Sequence, residues 1–469
     1  MLRNTGKMIV VGVLVIICWI ASLFVLAVVS ERTGRQSEAE VQIAEQWGRP
    51  QLIAGPVIVV PVKGTVNASA PNSLPNPNGS SQPVRHVLYI LPKELNIDTK
   101  LEPEVRSRGI FNAPVYHSRM TLSGSFEQSD LTALGLSPAA LLWNEASLVV
   151  GLSDTRSVNS GEDAVLAGKR ISFLPGAPEW NVGGMGIHAK LPTSFTTSID
   201  KNFNFSLDLS GSKSIRFLPL GENTNITAVA PWGSPSFVGA YLPDEESLTK
   251  DNFTASWHIS ALGRSYPNAW IGTALVSLYT DDQNYNPSLF GSPIKSPAVY
   301  SGSGDEYGQA LAASAFGVNL FREVTFYTLV SRTVKYAILF IALTFLAFYL
   351  FEVISGTRVH PFQYLLIGAA LVLFYLLLLS FSEHIGFALS YLLSSILTLG
   401  MVTAYSASVL KARGRAWIIA AILAVLYAYL YAILQLENYA LLFGTLFLFV
   451  ALAAIMRATR KIEWYKERE

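Results

Sequence analysis

Residues 8–29 read MIVVGVLVIICWIASLFVLAVV, with no charged side chain among them. As a helix rising ~1.5 Å per residue, the run crosses a hydrocarbon core of ~30 Å. Arg3 and Lys7 precede it and place the N-terminus on the cytoplasmic side. A secretory signal peptide is the rival reading. Its apolar region runs about 7–15 residues and closes on an A-x-A-like site. This run is longer and ends in Val28-Val29-Ser30-Glu31, a poor cleavage site. The expectation is an uncleaved anchor.

Working outward, the other long apolar runs all follow residue 333. Five further spans are expected at 334–354, 363–381, 386–410, 416–435 and 440–456. With the first, they make a six-span bundle with both termini inside. The cytoplasmic ends and loops then hold Arg3, Lys7, Arg358, Lys411, Arg413, Arg415, Arg457, Arg460, Lys461, Lys466 and Arg468. The two short outer turns hold Glu383 and Glu437 and no Lys or Arg. That asymmetry matches the positive-inside rule. Lys335, at the outer end of the second span, is the one mild exception.

The chain of 469 residues is 51% hydrophobic and 14% charged. Soluble domains carry about 25% charged residues, so the composition argues against a wholly soluble protein. The net charge of +1 gives no sign of nucleic-acid binding, and it averages two unlike parts. Residues 31–333 hold 22 Lys and Arg against 27 Asp and Glu; the rest holds 12 against 6. The single cysteine, Cys18, excludes a disulfide framework.

Residues 30–333 contain no spanning run and are expected outside the cytoplasm. Glu31–Trp47 has helical composition and continues the first span until Gly48, Arg49 and Pro50 end it. Beyond it the pattern is β. The run 51–62 is β-branched, and Val87–Leu91, Ile110–Phe126, Ser147–Leu152, Arg170–Leu174 and Phe203–Leu209 are further candidates. So are Ile215–Leu220, Asn225–Val229 and Phe253–Ile259. Short strands with close turn signals suggest an antiparallel sandwich. Asn202 to Leu209 alternates strictly, predicting one buried and one wet face. Residues 67–84, rich in Pro, Asn and Ser, read as a long exposed hairpin loop.

Catalytic patterns are missing from the sequence. Gly183-Gly184-Met185-Gly186 lacks the Lys-Ser/Thr of a phosphate loop and reads as a turn. The six histidines are scattered, with no H-E-x-x-H and no i, i+4 pair. Asp244-Glu245-Glu246 and Asp281-Asp282 read as solvated turns, since neither fits an EF-hand loop. The membrane half holds sharper candidates, because ionisable residues near a bilayer are costly. Glu352 ends the second span, where Arg358 or Lys411 can pair with it. Lys335 starts that span and can snorkel outward. Glu383 and His384 occupy a tight outer turn, either as a proton-relay pair or as ordinary turn polarity. No span has a charge at its centre, which argues against an ion-coupled pump. Ser390, Ser394, Ser395, Thr398 and Thr403 in the fourth span suit helix packing more than a pathway.

Several motifs resemble the CreD family of inner-membrane proteins. They include Arg332–Lys335-Tyr336, Ala342-Leu343-Thr344-Phe345-Leu346-Ala347-Phe348 with Glu352, and His360-Pro361-Phe362-Gln363-Tyr364-Leu365-Leu366. Phe374-Tyr375-Leu376-Leu377-Leu378-Leu379-Ser380 with Ser382-Glu383-His384 is similar too. Thr459-Arg460-Lys461-Ile462-Glu463-Trp464-Tyr465 resembles the family's closing T-R-x-I-D-W-Y, with Glu for Asp. In the outer part, Arg108-Gly109-Ile110-Phe111, Val115-Tyr116-His117-Ser118 and Pro235-Ser236-Phe237 near Gly239 share the likeness. The resemblance implies an inner-membrane protein linked to envelope integrity and to a two-component stress response that includes β-lactam exposure. It brings no established catalytic residues. It marks Arg332, Lys335, Glu352, His360, Gln363, Tyr375, Glu383 and His384 as candidate functional positions.

The expected architecture is therefore an α-helical membrane bundle with a large extracytoplasmic, all-β sandwich-like domain between spans one and two. Its parts are 1–7 inside, 8–29 spanning, 30–333 outside, 334–456 as five spans and 457–469 inside. The expected function is non-enzymatic envelope maintenance in the bacterial inner membrane, without cofactor or metal. Its expected partners are membrane lipids and a periplasmic protein or wall component. The alternative is a transporter or lipid-handling protein with a cavity among spans two to six.

Overall fold

The computed structural model describes residues 2–66, 84–127, 138–161, 163–180, 185–196, 201–272, 307–320, 326–355, 359–409, 413–436 and 439–460. The chain divides into two compact units. One combines Met1–Ser37 with Val324–Glu469, and the other is Glu38–Glu323. Helix α1 (Leu2–Trp47) contributes to both. Its 46 residues run unbroken through the apolar run and the polar continuation expected beyond it, and Gly48 and Pro50 follow its end.

Among its described residues, unit Glu38–Glu323 is built on two nine-stranded sheets. In chain order the strands are β1 (Gln51–Val66), β2 (Val84–Ile90), β3 (Glu94–Arg108), β4 (Phe111–Ser125), β5 (Ser147–Leu152) and β6 (Val158–Gly161). Next come β7 (Ala164–Leu166), β8 (Lys169–Ile171), β9 (Leu174–Pro175), β10 (Met185–Lys190), β11 (Asn202–Ser212) and β12 (Ser214–Phe217). The last are β13 (Asn223–Ala230), β14 (Pro235–Gly239), β15 (Glu245–Leu248), β16 (Phe253–Ser260), β17 (Ala269–Gly272) and β18 (Phe316–Leu320). A short helix, α2 (Gly308–Ala313), leads into β18.

The first sheet runs β14-β18-β12-β1-β5-β10-β9, with β2 also on β1 and β17 on β2. The second runs β15-β16-β13-β3-β4-β11-β7-β8, with β6 on β11. Most pairings are antiparallel, as expected, but two are parallel. Gln51, Leu52 and Ile53 of β1 pair in parallel with Ile215, Arg216 and Phe217 of β12. Strand β13 pairs in parallel with β3 from Asn223↔Glu94 to Val229↔Lys100. Each sheet is thus mixed, which corrects the purely antiparallel expectation. Pairing direction comes from distant strands and leaves no local signature.

One apolar core spans both sheets. It joins Val57, Ile58 and Val149 of the first to Leu95, Ile97, Met120, Phe203 and Trp257 of the second. Tyr116 on β4 donates its hydroxyl to the Ser214 carbonyl on β12 at 2.8 Å. Trp257 on β16 meets Phe316 on β18, with ring centroids 5.6 Å apart. The middle of β1 is buried on both faces, which explains its continuous apolar run. Trp180 supplies part of that cover and donates to the Ala54 carbonyl at 3.0 Å. Strands β3, β11, β13 and β16 alternate buried with open residues, so the second sheet keeps one wet face.

Of Asp244-Glu245-Glu246, expected as a solvated turn, Glu245 and Glu246 instead open strand β15, and Asp244 just before it accepts the His258 amide at 2.6 Å. The loop expected at 67–84 falls outside the described residues except for Val84, which opens β2. Asp281-Asp282 also falls outside them.

The other unit is helical. It contains the start of α1, α3 (Phe326–Lys335), α4 (Ala337–Ser355), α5 (Pro361–Ile385), α6 (Phe387–Val409), α7 (Arg413–Gln435) and α8 (Ala440–Thr459). Among the described residues, four helical stretches are long and apolar enough to cross a membrane: Gly6–Trp47, Pro361–Ile385, Phe387–Ser408 and Ala416–Gln435. Helices α3 and α4 together would make a fifth, bent by 45°. The apolar stretch Leu442–Arg457 is shorter.

Candidate functional site

Two carboxylates of the bundle unit are almost enclosed, and each holds a cation of α1. Glu352, in the last turn of α4, pairs with Lys7. It also accepts the Tyr364 hydroxyl at 3.0 Å and the Val359 amide at 3.2 Å. The Lys7 ammonium donates in addition to the Val359 carbonyl at 2.7 Å. Both oxygens of Glu352 are therefore engaged. Tyr364 is fixed from behind by edge contacts with Phe345 and Phe348, at 5.7 and 6.4 Å. Enclosing an ion pair is costly, and the bonds to Tyr364 and to the amide and carbonyl of Val359 offset part of that cost.

Glu383, in the last turn of α5, makes the second cluster. It accepts the Tyr327 hydroxyl of α3 at 3.0 Å and lies 3.6 Å from the Arg32 guanidinium of α1. Lys7 and Arg32 are separated by roughly 38 Å of helix, and Tyr364 and Glu383 by roughly 29 Å. No charged residue lies between Lys7 and Glu31 on α1, or between Tyr364 and Glu383 on α5. The clusters bracket an uncharged slab close to the thickness of a hydrocarbon core. Within it α1 and α5 touch closely. A Cβ built on Gly368 would collide with the Cys18 sulfur and crowd Phe345. Small residues permit such approach where no hydrophobic force drives helices together.

The candidates from sequence thus separate. Glu352 finds its partner in Lys7, which the sequence marked only as a topology signal; Arg358 and Lys411 lie outside the described residues. Glu383 and His384 are helical, and the break falls at Gly386, whose φ of 78° suits glycine. Glu383 is engaged while His384 is exposed, as neighbours on a helix face different ways. His360 and Gln363 cap α5 reciprocally: His360 Nδ1 accepts the Phe362 amide at 3.2 Å, and Gln363 Oε1 accepts the His360 amide at 2.9 Å. Arg332 and Lys335 lie in the last turn of α3, half-buried and exposed respectively. Tyr375 is buried beside Phe374, at 5.0 Å, in an aromatic cluster with Tyr391 and Tyr427. Tyr327, Tyr364 and Arg32 were missed. Cations flanking the first span, available to Glu352 and Glu383, were the signal at hand.

Within the β unit, the end of α1 is built into the second sheet. The Trp47 ring lies 4.8 Å from His117 and 4.3 Å from the Arg106 guanidinium. Lys213 pairs with Glu40 at 2.7 Å. Ile43 packs on Ala113 and Val115. Gln51 donates to the Ser157 hydroxyl at 2.7 Å and Ser153 to the Pro50 carbonyl at 2.6 Å, filling the turn after the helix. On the wet face, the Arg119 guanidinium holds the Asp208 carboxyl below its usual range. Burial pushes the Tyr266 phenol up to about 12; it donates to the Pro219 carbonyl at 3.0 Å. Among the described residues, no three His, Cys, Asp or Glu side chains are placed to hold a metal ion.

A family model described as inner membrane protein CreD matches residues 3–465. The inner membrane protein CreD of Escherichia coli (strain K12) is 30% identical over 451 residues. That alignment covers 96% of this chain and 91% of the relative.

Proposed function

Because the chain belongs to the CreD family of inner membrane proteins, we propose that it is an envelope-maintenance protein whose β domain works in the periplasm. In this reading it crosses the inner membrane six times, with both termini inside. It is non-enzymatic, and its β domain binds a lipid, a wall component or a protein. The observation that carries the reading is the pair of clusters on α1. A helix held by Lys7 at one end of an uncharged slab and by Arg32 at the other supports a retained anchor. A cleaved leader would leave Glu352 and Glu383 without their counter-charges, a costly outcome for enclosed carboxylates.

The test is photocrosslinking in intact cells from single positions on the wet face of the second sheet, at Val229 and His258, and at the exposed Leu242. A wall, lipid or protein adduct specific to one position supports the reading. Adducts no more specific than those of an unrelated periplasmic domain on the same anchor contradict it. The alternative of a transporter or lipid-handling protein draws on the bundle interior rather than on the β domain.

A further inference from the structure

Helix α3 packs on one side and is open on the other. Tyr327, Val330 and Val334 are buried, at the i, i+3, i+7 spacing of a single face. Thr328, Ser331, Arg332 and Lys335 recur at i, i+3, i+4, i+7, and each is half-buried or exposed. The buried side is tied down. Tyr327 donates to Glu383 at 3.0 Å, and Glu383 lies 3.6 Å from Arg32. Helix α3 therefore lies at the Glu383 end of the uncharged slab, with its polar stripe left open.

The stripe stops where an apolar helix begins. The Tyr336 amide donates to the Thr333 carbonyl at 3.2 Å, and the chain bends by 45° into α4. No charged residue occurs from Ala337 to Phe351. Ile338, in the first turn of α4, is 42% exposed. An exposed cation and an exposed aliphatic side chain are thus three positions apart. In a spanning segment that change marks the boundary between headgroups and hydrocarbon.

The charges narrow what the stripe meets. Glu31 pairs with Arg35 at 2.7 Å, and Glu383 with Arg32, so these acids of the same end are engaged. Lys335 is exposed and makes no ion pair among the described residues. In the six-span reading proposed above, this end faces the periplasm, the side on which loops are poor in Lys and Arg. A cation kept there without an acidic partner, at the level of the headgroups, is complementary to an anion of the membrane itself. We propose that Arg332 and Lys335 bind the phosphate of an anionic phospholipid, whose acyl chain runs against Ile338. Lys and Arg donate charge-assisted hydrogen bonds to phosphate oxygens. Only the choice of leaflet rests on the six-span reading; the site does not. Cations in a last turn also favour the helix dipole, but that interaction is indifferent to the lipid headgroup.

The experiment uses the full chain in phosphatidylcholine nanodiscs doped with a phosphatidylglycerol that carries a diazirine high on one acyl chain. A phosphatidylcholine with the same diazirine is the comparison. Adducts are located by mass spectrometry, and the readout is the ratio of the two probes at residues 336–340. Wild type should favour phosphatidylglycerol there. Lys335→Gln should lower the ratio about fivefold, the weight of one cation at an anionic lipid surface. Lys335→Arg, which keeps the charge, should keep the ratio, and excess inorganic phosphate should leave it unchanged. The proposal is overturned if both probes label these residues equally or if Lys335→Gln leaves the ratio as it was. It is also overturned if Lys335→Arg loses the ratio as fully as Lys335→Gln, or if inorganic phosphate abolishes it, which would assign a free anion. Nanodiscs expose both faces, so the result stands apart from the topology.

Discussion

Lys7 and Glu352 lie 345 positions apart and form an ion pair that ties the start of α1 to the last turn of α4. Glu352 is the better enclosed partner, and Tyr364 and Val359 complete its shell. Removing one side of such a pair leaves a charge without compensation. Lys7→Met is therefore expected to cost about 3 kcal/mol, and Glu352→Gln less, since a neutral amide keeps part of the hydrogen bonding. Thermal unfolding in one detergent measures both. The exchange Lys7→Glu with Glu352→Lys should recover part of the loss; no recovery would remove the pairing as the cause.

At the contact between α1 and α5, Gly368 leaves room for Cys18. Gly368→Leu should destabilise the bundle by about 1–3 kcal/mol through overpacking. It should also expose the Cys18 thiol, which is 3% accessible in the native packing, to a maleimide. Unchanged maleimide reactivity would show that the two helices are not held at this contact.

His360 and Gln363 illustrate how a candidate position resolves into a structural one. Their reciprocal bonds cap α5. His360→Ala should cost about 0.5–2 kcal/mol, and His360→Asn should restore most of it, because Asn caps well. An envelope defect in His360→Asn at wild-type stability would give the imidazole a role beyond the cap.

Tyr266 sets an alkaline limit on the β unit. Its folded pKa of about 12 stands above the ordinary 10.0. The stabilisation is full below about pH 10 and is lost as pH climbs toward 12, because the unfolded phenol ionises first. Tyr266→Phe should be less stable at neutral pH, having lost the bond to Pro219, yet flatter between pH 10 and 12. Denaturant midpoints across that range give the comparison. A parallel decline in both proteins would assign the alkaline sensitivity to other groups.

Much of this was legible in the residues. Helix α1 and its continuation to Trp47 followed from an uncharged run and a polar helical tail, and β5 was read at its observed bounds, because local pattern decides such elements. Strand β3 was missed. Its inward Leu95, Ile97, Thr99 and Leu101 alternate cleanly, but Asp98, Lys100 and Glu102 between them resemble a charged loop. The parallel pairing of β1 with β12 left no local trace, because residues more than 160 positions apart decide it. The same holds for the clusters on α1. Glu352 and Glu383 stood out as costly charges, while Lys7, Arg32, Tyr327 and Tyr364 became partners only through tertiary packing.

The most direct test of a retained anchor carrying a periplasmic β domain is labelling of single cysteines in intact cells. With Cys18→Ser as background, His258→Cys reports on the β domain and Gly414→Cys on the start of α7, both at exposed positions. A membrane-impermeant maleimide should label His258→Cys in intact cells and Gly414→Cys only after the inner membrane is opened. Protection of His258→Cys in intact cells, or labelling of Gly414→Cys in them, would contradict that topology and the function built on it.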